Sequence, residues 1–115
     1  MGEHDGVTVA FDAMAQVAEQ VSQDSQKLAD QSRAAGAERA AGASMTEVMD
    51  SGRPQAVLKL AESLAKRLVS AASVLRHAVV RDLSSEGKKV SAIARIFGVS
   101  HQRISVLLKA RHQND

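Results

Sequence analysis

An all-α fold is what this sequence predicts, on three observations. Alanine occurs 20 times among the 115 residues, while aromatic side chains are limited to Phe11 and Phe97. Pro54 is the only proline, and no β-branched run is bounded by turn residues. Apolar residues instead recur at steps of three, four and seven, the period of a helix face. The expected architecture is an amphipathic helical arm over residues 1–50, a connecting stretch of long helix over 51–74, and a compact headpiece over 75–115.

The arm comes first. Val7, Met14, Val21 and Leu28 are seven apart, with Ala10 and Val17 between them, until Asp24 and Gln31 interrupt the intermediate positions. This is a coiled-coil seam of about two heptads on a helix reaching about Ala35. So narrow a stripe needs a partner, either the rest of the chain or a second copy. GAERAAGAS, residues 36–44, holds two glycines and no large apolar side chain, and reads as a joint. Ser44 and Glu47 have the spacing of a capping box, which starts a short helix ending at Asp50 or Ser51. Gly52-Arg53-Pro54 stops it, with Pro54 suited to the first turn of the next helix.

From Pro54 to Gly87 one apolar face persists through Val57, Leu60, Leu64, Leu68, Ala71, Leu75, Val79 and Leu83. That pattern fits one helix of about 30 residues, or two helices bent near residues 70–73. Gly87 is the natural C-terminal cap. The seam of Val7, Met14, Val21 and Leu28, together with Leu60, Leu64 and Leu68, is the expected material for a homodimer.

The last stretch, SAIARIFGVSHQRISVLL, places Gly98 between two apolar-periodic runs. A glycine inside a helix costs about 1 kcal/mol relative to alanine, so it marks a turn here. Ser91 is the expected cap of one short helix with Ile93, Ala94 and Phe97 inward. Ser100 caps a second, with Ile104, Leu107 and Leu108 inward and Val99 buried between them. Two short helices joined by a glycine-containing turn make a helix-turn-helix. Ala94 is the small residue at the helix crossing and Gly98 the turn glycine, with Ile93, Phe97, Val99, Ile104 and Leu107 in the buried slots. Val79, Val80 and Leu83 belong to a preceding core helix.

These residues resemble the trihelical helix-turn-helix superfamily. IARIFGVSHQRIS is most similar to the promoter-reading C-terminal region of bacterial sigma factors and to resolvase/invertase DNA-binding domains. The resemblance spans roughly Leu75 to Arg111 and leaves out the N-terminal arm. It implies that the second short helix enters the major groove of double-stranded DNA. By helical wheel, Gln102, Ser105, Val106 and Lys109 face outward, with His101 and Arg103 on the flanks. Ser100, His101, Gln102, Arg103, Ser105 and Val106 are therefore the expected base readers. Their chemistry suits base edges, since Gln pairs with adenine, Arg with guanine, and Val touches a thymine methyl. Lys88, Lys89, Ser91, Lys109 and Arg111 are the expected phosphate contacts.

Charge agrees with that reading. Residues 1–50 hold three basic and nine acidic side chains, a net of −6, whereas residues 51–115 hold twelve and four, a net of +8. Such a split expects a polyanion at the C-terminal half. The alternative is an adaptor whose acidic arm binds another protein, such as RNA polymerase or a sigma factor. The chain has no cysteine, hence no disulfide or thiolate metal site. His77, His101 and His112 lack metal-ligand spacing, and no nucleophile elbow or phosphate loop occurs, so neither an enzyme nor a cofactor is expected. No apolar run reaches the ~18 residues of a membrane span. MGEHDGVTVAFDA lacks a basic leader before an apolar core, so no secretory signal is expected. With the resemblance, these point to a cytoplasmic DNA-binding protein, either a transcriptional regulator or a nucleoid-associated factor.

Overall fold

A computed structural model describes residues 6–114, with side chains through Lys109. Five helices follow in order: α1 (Gly6–Ala40), α2 (Met45–Asp50), α3 (Arg53–Ser85), α4 (Val90–Phe97) and α5 (His101–Asn114). There is no strand among the described residues, so the fold is all-α. No helix among them is long and apolar enough to cross a membrane.

The chain divides into two compact units. Ala15–Ser70 form one; Ala71 onward, with the chain up to Met14, form the other. In the first, α1 and α3 are antiparallel. Asp24 pairs with Arg67, and fourteen residues further along α1, Glu38 pairs with Arg53, fourteen residues earlier on α3. Asp24 occupies a position where the sequence interrupts its apolar seam. The Arg67 guanidinium donates to it at 2.7 Å, both side chains being half-buried, so an ion pair occupies that seam position in place of two apolar side chains.

The glycine-rich joint is shorter than the sequence predicts. α1 runs through Gly36 to Ala40, because the intervening alanines favour helix and the Glu38–Arg53 pair ties down its last turn. The stop comes at Gly42. Its φ of 105° lets the Gly42 N–H donate to the Arg39 carbonyl and the Ala43 N–H to that of Glu38. This is a Schellman ending, which needs a residue that tolerates positive φ. The capping box then starts α2 as expected: the Glu47 N–H donates to Ser44 Oγ and the Ser44 N–H to Glu47 Oε1, both at 3.1 Å. Hydrogen bonds from Ser44 to the carboxyl, from its backbone N–H first and from its side chain second, hold Glu47 below its ordinary pKa.

α3 is one helix of 33 residues and has no break near residues 70–73. Within the single chain the expected dimer seam is already largely covered. Leu64 is 5% exposed, Val21, Leu28 and Leu60 are half-buried, and only Leu68 is open; in the other unit Val7 and Met14 are half-buried.

Candidate nucleic-acid interface

The end of α3, α4 and α5 share one apolar cluster. Val80, Ile93, Ala94 and Ile104 are buried at its centre, with Leu83, Val90, Phe97, Val99, Leu107 and Leu108 packed around them. α4 ends at Gly98, whose φ is 66° and ψ 31°. The Gly98 N–H donates to Arg95 and the Val99 N–H to Ala94, turning the chain so that Val99 meets the cluster. A side chain with a Cβ adopts that left-handed conformation only at a cost of about 1–2 kcal/mol, which accounts for the glycine. Ser100 then caps α5, its Oγ accepting from the Arg103 N–H at 3.1 Å.

One end of α4 differs from the sequence reading. Its N-cap is Lys89, which makes no side-chain capping bond, and the first helical bond runs from the Ile93 N–H to the Lys89 carbonyl. Ser91 lies inside the first turn instead of capping it. Val90 packs against the cluster, and its burial at the first helical position draws the start of the helix ahead of Ser91.

The inner face of α5 fixes what its outer face presents. Ile104 is 0% exposed, and with Leu107 and Leu108 turned to the cluster the opposite side remains at the surface. Gln102, Val106 and Lys109 are exposed there and His101 and Arg103 on the flanks, while Ser105 is half-buried, more enclosed than the helical wheel predicts. Val106 is 56% exposed. Lys88, Lys89 and Ser91 are exposed around the start of α4, where the first backbone N–H groups of a helix lack intrahelical acceptors. The Arg111 side chain lies outside the described residues. Because Ser100 Oγ accepts one bond from the backbone, its hydroxyl proton and one lone pair are left to offer a ligand.

Two exposed residues of α4 escaped the sequence reading, Arg95 and Ile96. The signal was available: with Ile93, Ala94 and Phe97 inward, both fall on the outer side of the same helix. No group of three or more potential metal ligands occurs among the described residues. In the unit Ala15–Ser70, a groove along α3 is lined by Lys59, Glu62, Ser63, Lys66 and Arg67 and combines both signs of charge.

Comparison with known protein families, curated proteins and solved structures returns no significant match.

Proposed function

We propose that this protein binds double-stranded DNA with sequence preference, through a trihelical helix-turn-helix formed by the end of α3, α4 and α5. One observation carries the reading. The buried Ile104 anchors α5 by one side, which leaves Gln102, Val106 and Lys109 together on the other, with Arg103 exposed on the flank. An amide, a methyl-bearing side chain and an ammonium on one helix face, with a guanidinium at its flank, are what base edges and phosphates require. Val106 supports base contact specifically, since an exposed β-branched side chain among polar neighbours gains by covering a thymine methyl. Lys88, Lys89 and Arg95 extend the cationic surface for backbone phosphates. A single headpiece binds modestly, so two copies on neighbouring half-sites complete the proposal, as expected of a transcriptional regulator or nucleoid-associated protein.

The adaptor reading draws less support. Asp24 and Glu38, two carboxylates of the acidic half, are engaged by Arg67 and Arg53 of the same chain.

The test is recovery of bound fragments from a genomic pool, repeated with Gln102→Ala/Arg103→Ala and with Lys88→Ala/Lys89→Ala. The first pair is expected to lose preference among fragments, at about 1–3 kcal/mol per lost bidentate contact. The second is expected to weaken all fragments alike. Equal recovery by wild type and the Gln102/Arg103 variant would remove α5 as the reader.

A further inference from the structure

The unit Ala15–Ser70 has one flank without charge. On α3, Leu58, Ala61, Ala65 and Leu68 each follow a seam position (Val57, Leu60, Leu64 and Arg67) by one residue. On α1, Ala18, Ser22, Ser25 and Ala29 follow Val17, Val21, Asp24 and Leu28 in the same way. In an antiparallel helix pair, positions one residue past the seam fall on the same side of both helices. The two lines therefore share a face. Leu58 is 61% exposed near one end of that line and Leu68 is open near the other, with Val69, 69% exposed, beside Leu68 at its edge. Three large apolar side chains standing out on one helix face are a patch that asks for cover.

We infer that a second copy of this chain docks on that face, pairing two antiparallel hairpins into a four-helix bundle. The face complements itself. Leucines project from its α3 half, whereas alanine and serine line its α1 half. A two-fold rotation sets the leucines of each copy against the small residues of the other, the isologous arrangement of a symmetric dimer. Its size fits as well. Eighteen residues of α3, Arg53–Ser70, rise ~27 Å at 1.5 Å per residue, and two helices at ordinary spacing make a face ~20 Å across. The flat projection of such a face is ~540 Å², and its corrugated accessible surface approaches the ~800 Å² per partner of a stable interface. The inference deepens the DNA reading by naming what holds its second copy, and it does not require α5 to touch DNA.

Light scattering on the DNA-free full chain tests it, together with Leu58→Glu/Val69→Glu. Wild type is expected at twice the 12.2 kDa of one chain. The variant is expected at the single-chain mass with unchanged helical circular dichroism, because both positions are exposed in the monomer. Self-association should weaken at least ~30-fold, the effect of losing one buried anchor of about 2 kcal/mol. The chain has no cysteine, so Ser25→Cys/Ala65→Cys adds a second readout: oxidation should link α3 of one copy to α1 of the other, whereas Ser25→Cys/Ser63→Cys, with Ser63 off this face, should not. A wild type that stays at 12.2 kDa at tens of micromolar overturns the inference, as does a dimer that survives both glutamates. Anisotropy with duplex DNA on the same samples separates the two failures, since a dimer that ignores DNA sinks only the functional reading.

Discussion

The two units of this protein solve the problem of a small core in different ways. The cluster of Val80, Ile93, Ala94 and Ile104 is wholly apolar and closes on itself with three helices. The hairpin of Ala15–Ser70 has only two long helices, and its seam is interrupted by the Asp24–Arg67 pair. It leaves Leu58, Leu68 and Val69 at the surface. Two helices give each other one buried stripe, and a third element is needed before an apolar side chain is covered from all sides. The headpiece has a full third helix, whereas the third element of the hairpin is the six-residue α2, which buries Val48 and leaves Leu58, Leu68 and Val69 open. On the function proposed above, the headpiece would hold the reading helix and the hairpin, with its open leucines, would bring in the second copy.

The largest effect should come from hollowing the better core. Ile104→Ala removes a fully buried side chain and should cost about 2–5 kcal/mol in urea denaturation. DNA binding should fall with it, because α5 loses its anchor. A cost below about 1 kcal/mol, less than such a truncation ordinarily carries, would mean that the headpiece is not the tighter of the two regions.

The hairpin should respond in the opposite sense to a related change. Arg67 Nε is buried without a hydrogen-bond partner, so its ion pair with Asp24 satisfies the guanidinium only in part. Replacing both residues by leucine is expected to raise stability by about 1–2 kcal/mol, whereas Asp24→Leu alone should lower it, since a half-buried cation would be left unpaired. A double-mutant cycle by chemical denaturation measures both. If both variants lose stability equally, the ion pair is not the weak point of the seam.

The smallest effect belongs to the capping box of α2. The folded Glu47 carboxyl titrates below its ordinary value of 4.5 because Ser44 bonds the charged form. Its contribution to stability is therefore present above pH 4.5 and is lost as pH falls through the lowered value. Glu47→Gln should remove that part of the acid dependence and leave neutral-pH helicity nearly unchanged. A pH titration of the side-chain carboxyl carbon by NMR checks the direction, and a midpoint above 4.5 would contradict the box.

What the sequence made legible follows the same division. The turn at Gly98, the cap at Ser100 and the inward set around Ile104 depend on residues within a few positions of one another, so local rules reach them. Those rules also place the box of Ser44 and Glu47. The hairpin depends on residues far apart in the chain. Asp24 looks like an interruption until Arg67, 43 residues later, is placed opposite it. Gly36 looks like a hinge, yet α1 passes through it with Glu38 held by Arg53. The continuity of α3 is open in the sequence for the same reason, since the Ser70–Ser73 stretch has no breaker and no strong apolar anchor. Ser91 reads as a cap because its side-chain chemistry outweighs Val90, whose burial in fact sets the start of α4.

The central claim is that the α4–α5 headpiece binds duplex DNA, and fluorescence anisotropy across a range of salt concentrations tests it most directly. The account predicts binding at low salt that weakens linearly on a log–log plot, at ~0.9 per phosphate contacted. Lys88, Lys89, Arg95 and Lys109 should together give a slope of about three to four per headpiece, and Lys88→Ala should lower it by about one. No binding to duplex DNA at low salt, or binding whose slope is unmoved by these substitutions, would contradict it.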